Sequence, residues 1–87
     1  MTITGNGTST IDIIPGQEYS LGAAGTWDSG SLAISWTDAS GNTVAFDDSP
    51  LTANGGFIFS APSGTLTLVM SSVASACSVK VSLANLN

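Results

Sequence analysis

Leu32-Ala33-Ile34-Ser35-Trp36-Thr37 places an apolar side chain at every second position, with a small or polar one between. A β-strand sends successive side chains to opposite faces, so this stretch reads as a half-buried strand. The same rhythm recurs along the chain. Val44 and Phe46 alternate with Ala45 and Asp47. Leu66, Leu68 and Met70 alternate with Thr65, Thr67 and Val69, and Cys77, Val79, Val81 and Leu83 with Ser78, Lys80 and Ser82. No window carries a helical i, i+3, i+4, i+7 stripe. The helix-favouring residues Glu, Gln, Lys and Arg amount to Glu18, Gln17 and Lys80 alone.

Turn chemistry separates these stretches. Asn6-Gly7 is a tight-turn dipeptide. Pro15-Gly16 suits the centre of a type II turn, where Pro presets φ and Gly supplies a positive one. Asp38-Ala39-Ser40-Gly41-Asn42 reads as a short hairpin loop. Asp48-Ser49-Pro50 closes a strand, and Asn54-Gly55-Gly56 and Pro62-Ser63-Gly64 are further breaks. About eight short strands are expected, from nine candidate stretches near residues 2–4, 9–14, 17–21, 24–28, 31–38, 43–47, 56–60, and the pair 65–71 with 76–84. The expected fold is all-β: an antiparallel β-sandwich, jelly-roll-like, in one domain over residues 1–87. Residues 1–8 are open to a second use as an N-terminal arm: Met1-Thr2-Ile3-Thr4 could add a strand to a neighbour or be the first strand of the domain itself.

The charge balance narrows function. The chain has 87 residues, with one base, Lys80, against six acids (Asp12, Glu18, Asp28, Asp38, Asp47, Asp48), and a net charge of −5. One base cannot neutralise several phosphates, and the net charge repels nucleic acid and anionic membranes, so neither is expected as a partner. No apolar run approaches the ~18 residues of a membrane span. No signal peptide is visible, which points to a cytosolic product or one released by lysis. A chain of 8.7 kDa should expose roughly 4,700 Å² when folded and bury about 60 % of its unfolded surface, a marginal core that association would reinforce.

Reaction chemistry is sparse. There is no His to serve as a base, and no Gly-x-Ser-x-Gly elbow. Asp47 and Asp48 are neighbours on a strand, so their side chains should diverge, as a solvated strand end. Gly5-Asn6-Gly7 lacks the Lys and helix of a phosphate loop. No metal or cofactor site is expected, and no enzymatic activity. Cys77, in phase with Val79, reads as a buried thiol. Trp36 reads as core. Trp27, at a strand end, reads as core or as an interface anchor. Ile14, Leu51 and Ile58 fall out of phase or on loops, and with Met1, Ile3 and Trp27 they make up the candidate interface residues.

The order Gly25-Thr26-Trp27, Leu32-Ala33-Ile34-Ser35-Trp36, Thr43-Val44-Ala45-Phe46, Gly56-Phe57-Ile58-Phe59-Ser60-Ala61-Pro62-Ser63-Gly64 and Leu66-Thr67-Leu68-Val69 resembles the small all-β virion proteins of tailed bacteriophages. Many of these are capsid decoration (cement) or head-fibre proteins. Many members carry a basic residue in a G-x-[YF]-R stretch. Here the stretch is Gly64-Thr65-Leu66-Thr67, so no binding residue carries over. The resemblance implies a structural protein made in the host cytoplasm and located on the virion. It would bind the major capsid protein, itself, or both, and local three-fold positions of a capsid would suit a homotrimer. A carbohydrate- or receptor-binding module of a head or tail fibre is the alternative, with Trp27 as its platform. A small enzyme and a subunit of a non-viral filament are remoter rivals.

Overall fold

The alternating stretch at Leu32 is a strand, Ser31–Thr37, in a computed structural model that describes all 87 residues. There are eight strands and no helix: β1 (Thr2–Ile3), β2 (Gly7–Asp12), β3 (Glu18–Thr26), β4 (Ser31–Thr37), β5 (Thr43–Ala45), β6 (Gly55–Ser60), β7 (Thr65–Ser71) and β8 (Ser78–Asn85). They form two four-stranded antiparallel sheets, ordered β1-β8-β3-β6 and β2-β7-β4-β5. The pairing is nested: first with last, second with seventh, third with sixth, fourth with fifth. Such a chain behaves as a long hairpin ribbon wrapped into two layers.

The inward faces meet in one core. Tyr19, Leu21, Ala23, Phe59, Val79 and Val81 come from the first sheet, and Leu32, Ile34, Leu66, Leu68 and Met70 from the second. The alternation seen in the sequence thus selects the buried face of each strand. Tyr19 stacks on Phe59 at 5.7 Å, and Phe46 tilts against Phe59 at 4.9 Å. The accessible surface is 4620 Å², close to the roughly 4,700 Å² that size scaling gives.

Several expected boundaries shift. The stretches 17–21 and 24–28 join into the single strand β3, because Gly22-Ala23-Ala24-Gly25 is flanked by strands on both sides rather than forming a break. The small residues admit close neighbours: a Cβ on Gly25 would lie 2.0 Å from the Ser78 carbonyl oxygen. β2 begins two residues earlier than expected and stops at Asp12, because Ile13 turns into the core while its N–H still donates to the Gly64 carbonyl at 3.0 Å. β5 is shorter than expected. The chain turns at Phe46, whose carbonyl accepts from the Ser49 N–H, so Asp47 and Asp48 sit exposed in a turn rather than on a strand.

The turns follow their chemistry. Gly16 has φ +80° and the Gln17 N–H donates to the Ile14 carbonyl at 3.3 Å, closing the Pro15-Gly16 turn. In the β4–β5 hairpin, Gly41 has φ +87° and Asp38 caps the loop by accepting the backbone N–H groups of Ser40 and Asn42 at 2.9 and 2.8 Å.

Candidate functional site

The six candidate interface residues do not form one patch. Ile3 is only 8 % exposed. Thr2 and Ile3 pair with Lys80 and Val79, so the N-terminal segment is the first strand of the domain and Ile3 belongs to the core. That removes Ile3 from any exposed set. Leu51 is half-buried against the core and exchanges two backbone hydrogen bonds with Leu32, at 2.8 and 2.9 Å. Trp27 is also half-buried against the core. Its indole N–H donates to Asn54 Oδ1 at 2.9 Å, and the same oxygen accepts the Gly25 N–H at 2.9 Å. Its polar edge is therefore engaged within the fold.

Met1, Ile14 and Ile58 are the exposed members, at 49 %, 54 % and 63 %. The topology separates them. Met1 precedes β1 at one edge of the first sheet, Ile58 lies on β6 at its opposite edge, and Ile14 sits on the connection from β2 to β3. Leu86, also exposed, went unnoticed in the sequence because the pattern of β8 fades into Asn85-Leu86-Asn87.

The end of the sandwich around Trp27 is tied by side-chain-to-backbone bonds. Asp28 Oδ2 accepts the N–H groups of Ser75 and Ala76 at 2.8 and 3.0 Å, and Asn6 Oδ1 accepts that of Val73 at 3.0 Å. Asp28, Ser29 and Ser72 have φ of +48°, +67° and +64°, a conformation unusual for non-glycine residues and held here by these bonds. Asn6, Asp28 and Asn54 act as loop staples, a role their sequence context alone could not assign.

The two outward faces are poor in charge. By alternation, the second sheet presents Thr8, Thr10 and Asp12 from β2, Thr65, Thr67, Val69 and Ser71 from β7, Ser31, Ala33 and Thr37 from β4, and Thr43 and Ala45 from β5, while Ser35 of β4 is buried. Asp12 is the one charged side chain among them. The first sheet carries Lys80 and Glu18 outward, amid Ser, Ala and Gly and the exposed Ile58 of β6. The remaining acids lie in turns.

One open recess of about 360 Å³ lies on the first sheet, lined by Gly22, Ala23, Ala24, Asn54, Gly55, Lys80 and Ser82. It exists because β3 and β6 carry glycine and alanine there. It has no aromatic wall to enclose a small molecule. No three His, Cys, Asp or Glu residues converge as a metal-binding group. Cys77 is buried, its Sγ 3.4 Å from the Ile3 carbonyl. Asp38 opens the loop between β4 and β5. Its carboxyl is held below the ordinary value chiefly by the Asn42 backbone N–H, with further help from the Asn42 side chain and the Ser40 and Gly41 N–H groups, against a smaller desolvation effect. That arrangement is a turn cap. No family model matches the chain, and no curated protein matches it.

Proposed function

We propose that this protein is a non-enzymatic virion structural protein of a bacteriophage, which decorates the outer capsid surface and stabilises contacts between capsomers. The observation that carries the proposal is the composition of the two outward faces, where Ser, Thr, Ala and Gly stand in place of Lys and Glu. Uncharged faces are desolvated at small cost when another protein covers them. Fold alone does not decide function, but the nested pairing of eight strands in two antiparallel sheets supports a jelly-roll reading, an architecture shared by viral capsid and lectin domains.

The mechanism is additive. Each copy covers a seam, and bound copies together raise the free energy of opening it. The net charge of −5 favours a basic seam, with binding that weakens as salt rises. The fibre-module alternative relies on an open Trp27, and Trp27 is half-buried against the core. The test is to add purified protein to capsids of the encoding phage from which it has been stripped. Rebinding with a higher disruption temperature supports the proposal. Failure to rebind from low to high salt overturns it.

A further inference from the structure

The first sheet ends in an edge strand, β6, whose outer side has no backbone partner. The orientation of its polar groups follows from a single bond. The Leu86 N–H donates to the Glu18 carbonyl at 2.9 Å, so Glu18 faces β8. By alternation, Tyr19, Leu21 and Ala23 face β6, where they oppose Phe59, Phe57 and Gly55. Gly56, Ile58 and Ser60 therefore point their N–H and C=O groups at the open edge. Ile58 and Ser60 carry their side chains on the outward face, where Ile58 is 63 % exposed, whereas a side chain on Gly56 would point at the Leu21 carbonyl.

We infer that β6 pairs with β6 of a second copy of this chain, antiparallel about a two-fold axis at Ile58, joining the two first sheets into one continuous sheet. The strand is its own complement. In that register Ile58 meets Ile58 of the partner, Gly56 meets Ser60, and Phe57 and Phe59 fall together on the inner face. Each of the three outward-facing pairs exchanges two bonds, giving roughly six new hydrogen bonds. The two Ile58 side chains become a directly opposed apolar pair. Gly55–Ser60 holds no charged residue, so no like charges are brought face to face. Nothing on this strand blunts its edge in the ways edge strands are usually protected: it has no Lys, no Pro and no inward charge.

The other six-residue edge, β2, is less suited. Since the Ile13 N–H faces β7, the groups facing its open side belong to Thr8, Thr10 and Asp12. Pairing there would partly desolvate a carboxylate and bury no large apolar side chain. An antiparallel two-fold contact closes on itself, so the expected product is a dimer. This pairing is independent of the capsid proposal and survives its failure.

Sedimentation equilibrium of the full chain tests the inference, from 10 µM to 1 mM, at low and at ~0.5 M salt. The parent should dimerise, and more strongly at high salt, because screening relieves repulsion between two molecules of net charge −5. Ile58→Lys should weaken the dimer about tenfold or more, with an unchanged melting curve at concentrations low enough that both proteins are monomeric, because the side chain is exposed. Thr10→Lys, on the β2 edge, should leave association unchanged. A parent that stays monomeric throughout overturns the inference. So does a dimer that Ile58→Lys leaves intact, or one that Thr10→Lys abolishes.

Discussion

β2 and β6 are both six-residue edge strands, one on each sheet, yet they resolve the same problem differently. β2 reads Gly-Thr-Ser-Thr-Ile-Asp: hydroxyls and a carboxylate face outward, and Ile11 reaches only half-way into the core. β6 reads Gly-Gly-Phe-Ile-Phe-Ser: one aromatic ring is buried, a second half-buried, and an isoleucine faces solvent. An edge anchored by aromatic rings holds firmly to its own sheet. With an apolar outward residue, it also offers that sheet to another chain. The difference between the edges therefore lies in what surrounds the hydrogen-bond ladder, since both ladders are open on one side.

Truncating the inward side chains should give the widest separation. Phe59→Ala removes a ring packed on Tyr19 and Phe46 and should cost about 3–5 kcal/mol in denaturant unfolding. Ile11→Ala, at a half-buried position, should cost about 1–2 kcal/mol. Equal losses would remove the claimed asymmetry in anchoring.

The glycines sharpen the contrast at the backbone. A Cβ on Gly56 would lie 2.2 Å from the Leu21 carbonyl oxygen, so Gly56→Ala must push β6 away from β3. A loss of at least ~2 kcal/mol is expected. Gly7 opens β2 at φ +155° with no atom within 4 Å of its missing side chain. Gly7→Ala should therefore meet backbone strain alone, about 1 kcal/mol. Thermal unfolding of the two variants side by side checks the order.

How much of this was legible in the sequence depends on the element. The core-facing residues of β4, β7 and β8 followed directly from their period of two, because burial of one sheet face writes itself into the alternation. β3 did not, since Gly22, Ala23, Ala24 and Gly25 carry little hydrophobic signal. Their smallness reflects close neighbouring strands, which only the three-dimensional pairing reveals. The exposure of Ile58 was legible as a break in phase with Phe57 and Phe59. The burial of Ile3 was not: a four-residue segment has too few positions to establish a phase, and its partner β8 lies at the other end of the chain. Trp27 was ambiguous because its fate rests on Asn54, a residue 27 positions away.

The fourth edge, β5, has three residues and relies on its hairpin turn. Its pH response should be the smallest effect. Asp38 is held below the ordinary carboxylate value in the folded turn, chiefly by the Asn42 N–H. The stabilisation it provides is thus complete above the unfolded value of ~3.9 and fades as pH falls through the lowered folded value. Amide chemical shifts of Ser40 and Asn42 should report this local loosening in acid, while those of Thr10 and Ile58 stay unchanged. Shifts that move together across both sheets would show global acid unfolding instead.

Amide hydrogen exchange at single-residue resolution, followed as protein concentration rises, tests the contrast between the two edges most directly. The N–H groups of Ile58 and Ser60 face the open side of β6, and those of Thr8 and Thr10 the open side of β2. At low concentration all four should exchange fast. As concentration rises, Ile58 and Ser60 should slow while Thr8 and Thr10 stay fast. Ile58 exchange that is independent of concentration, or slowing at Thr10 instead, would contradict it.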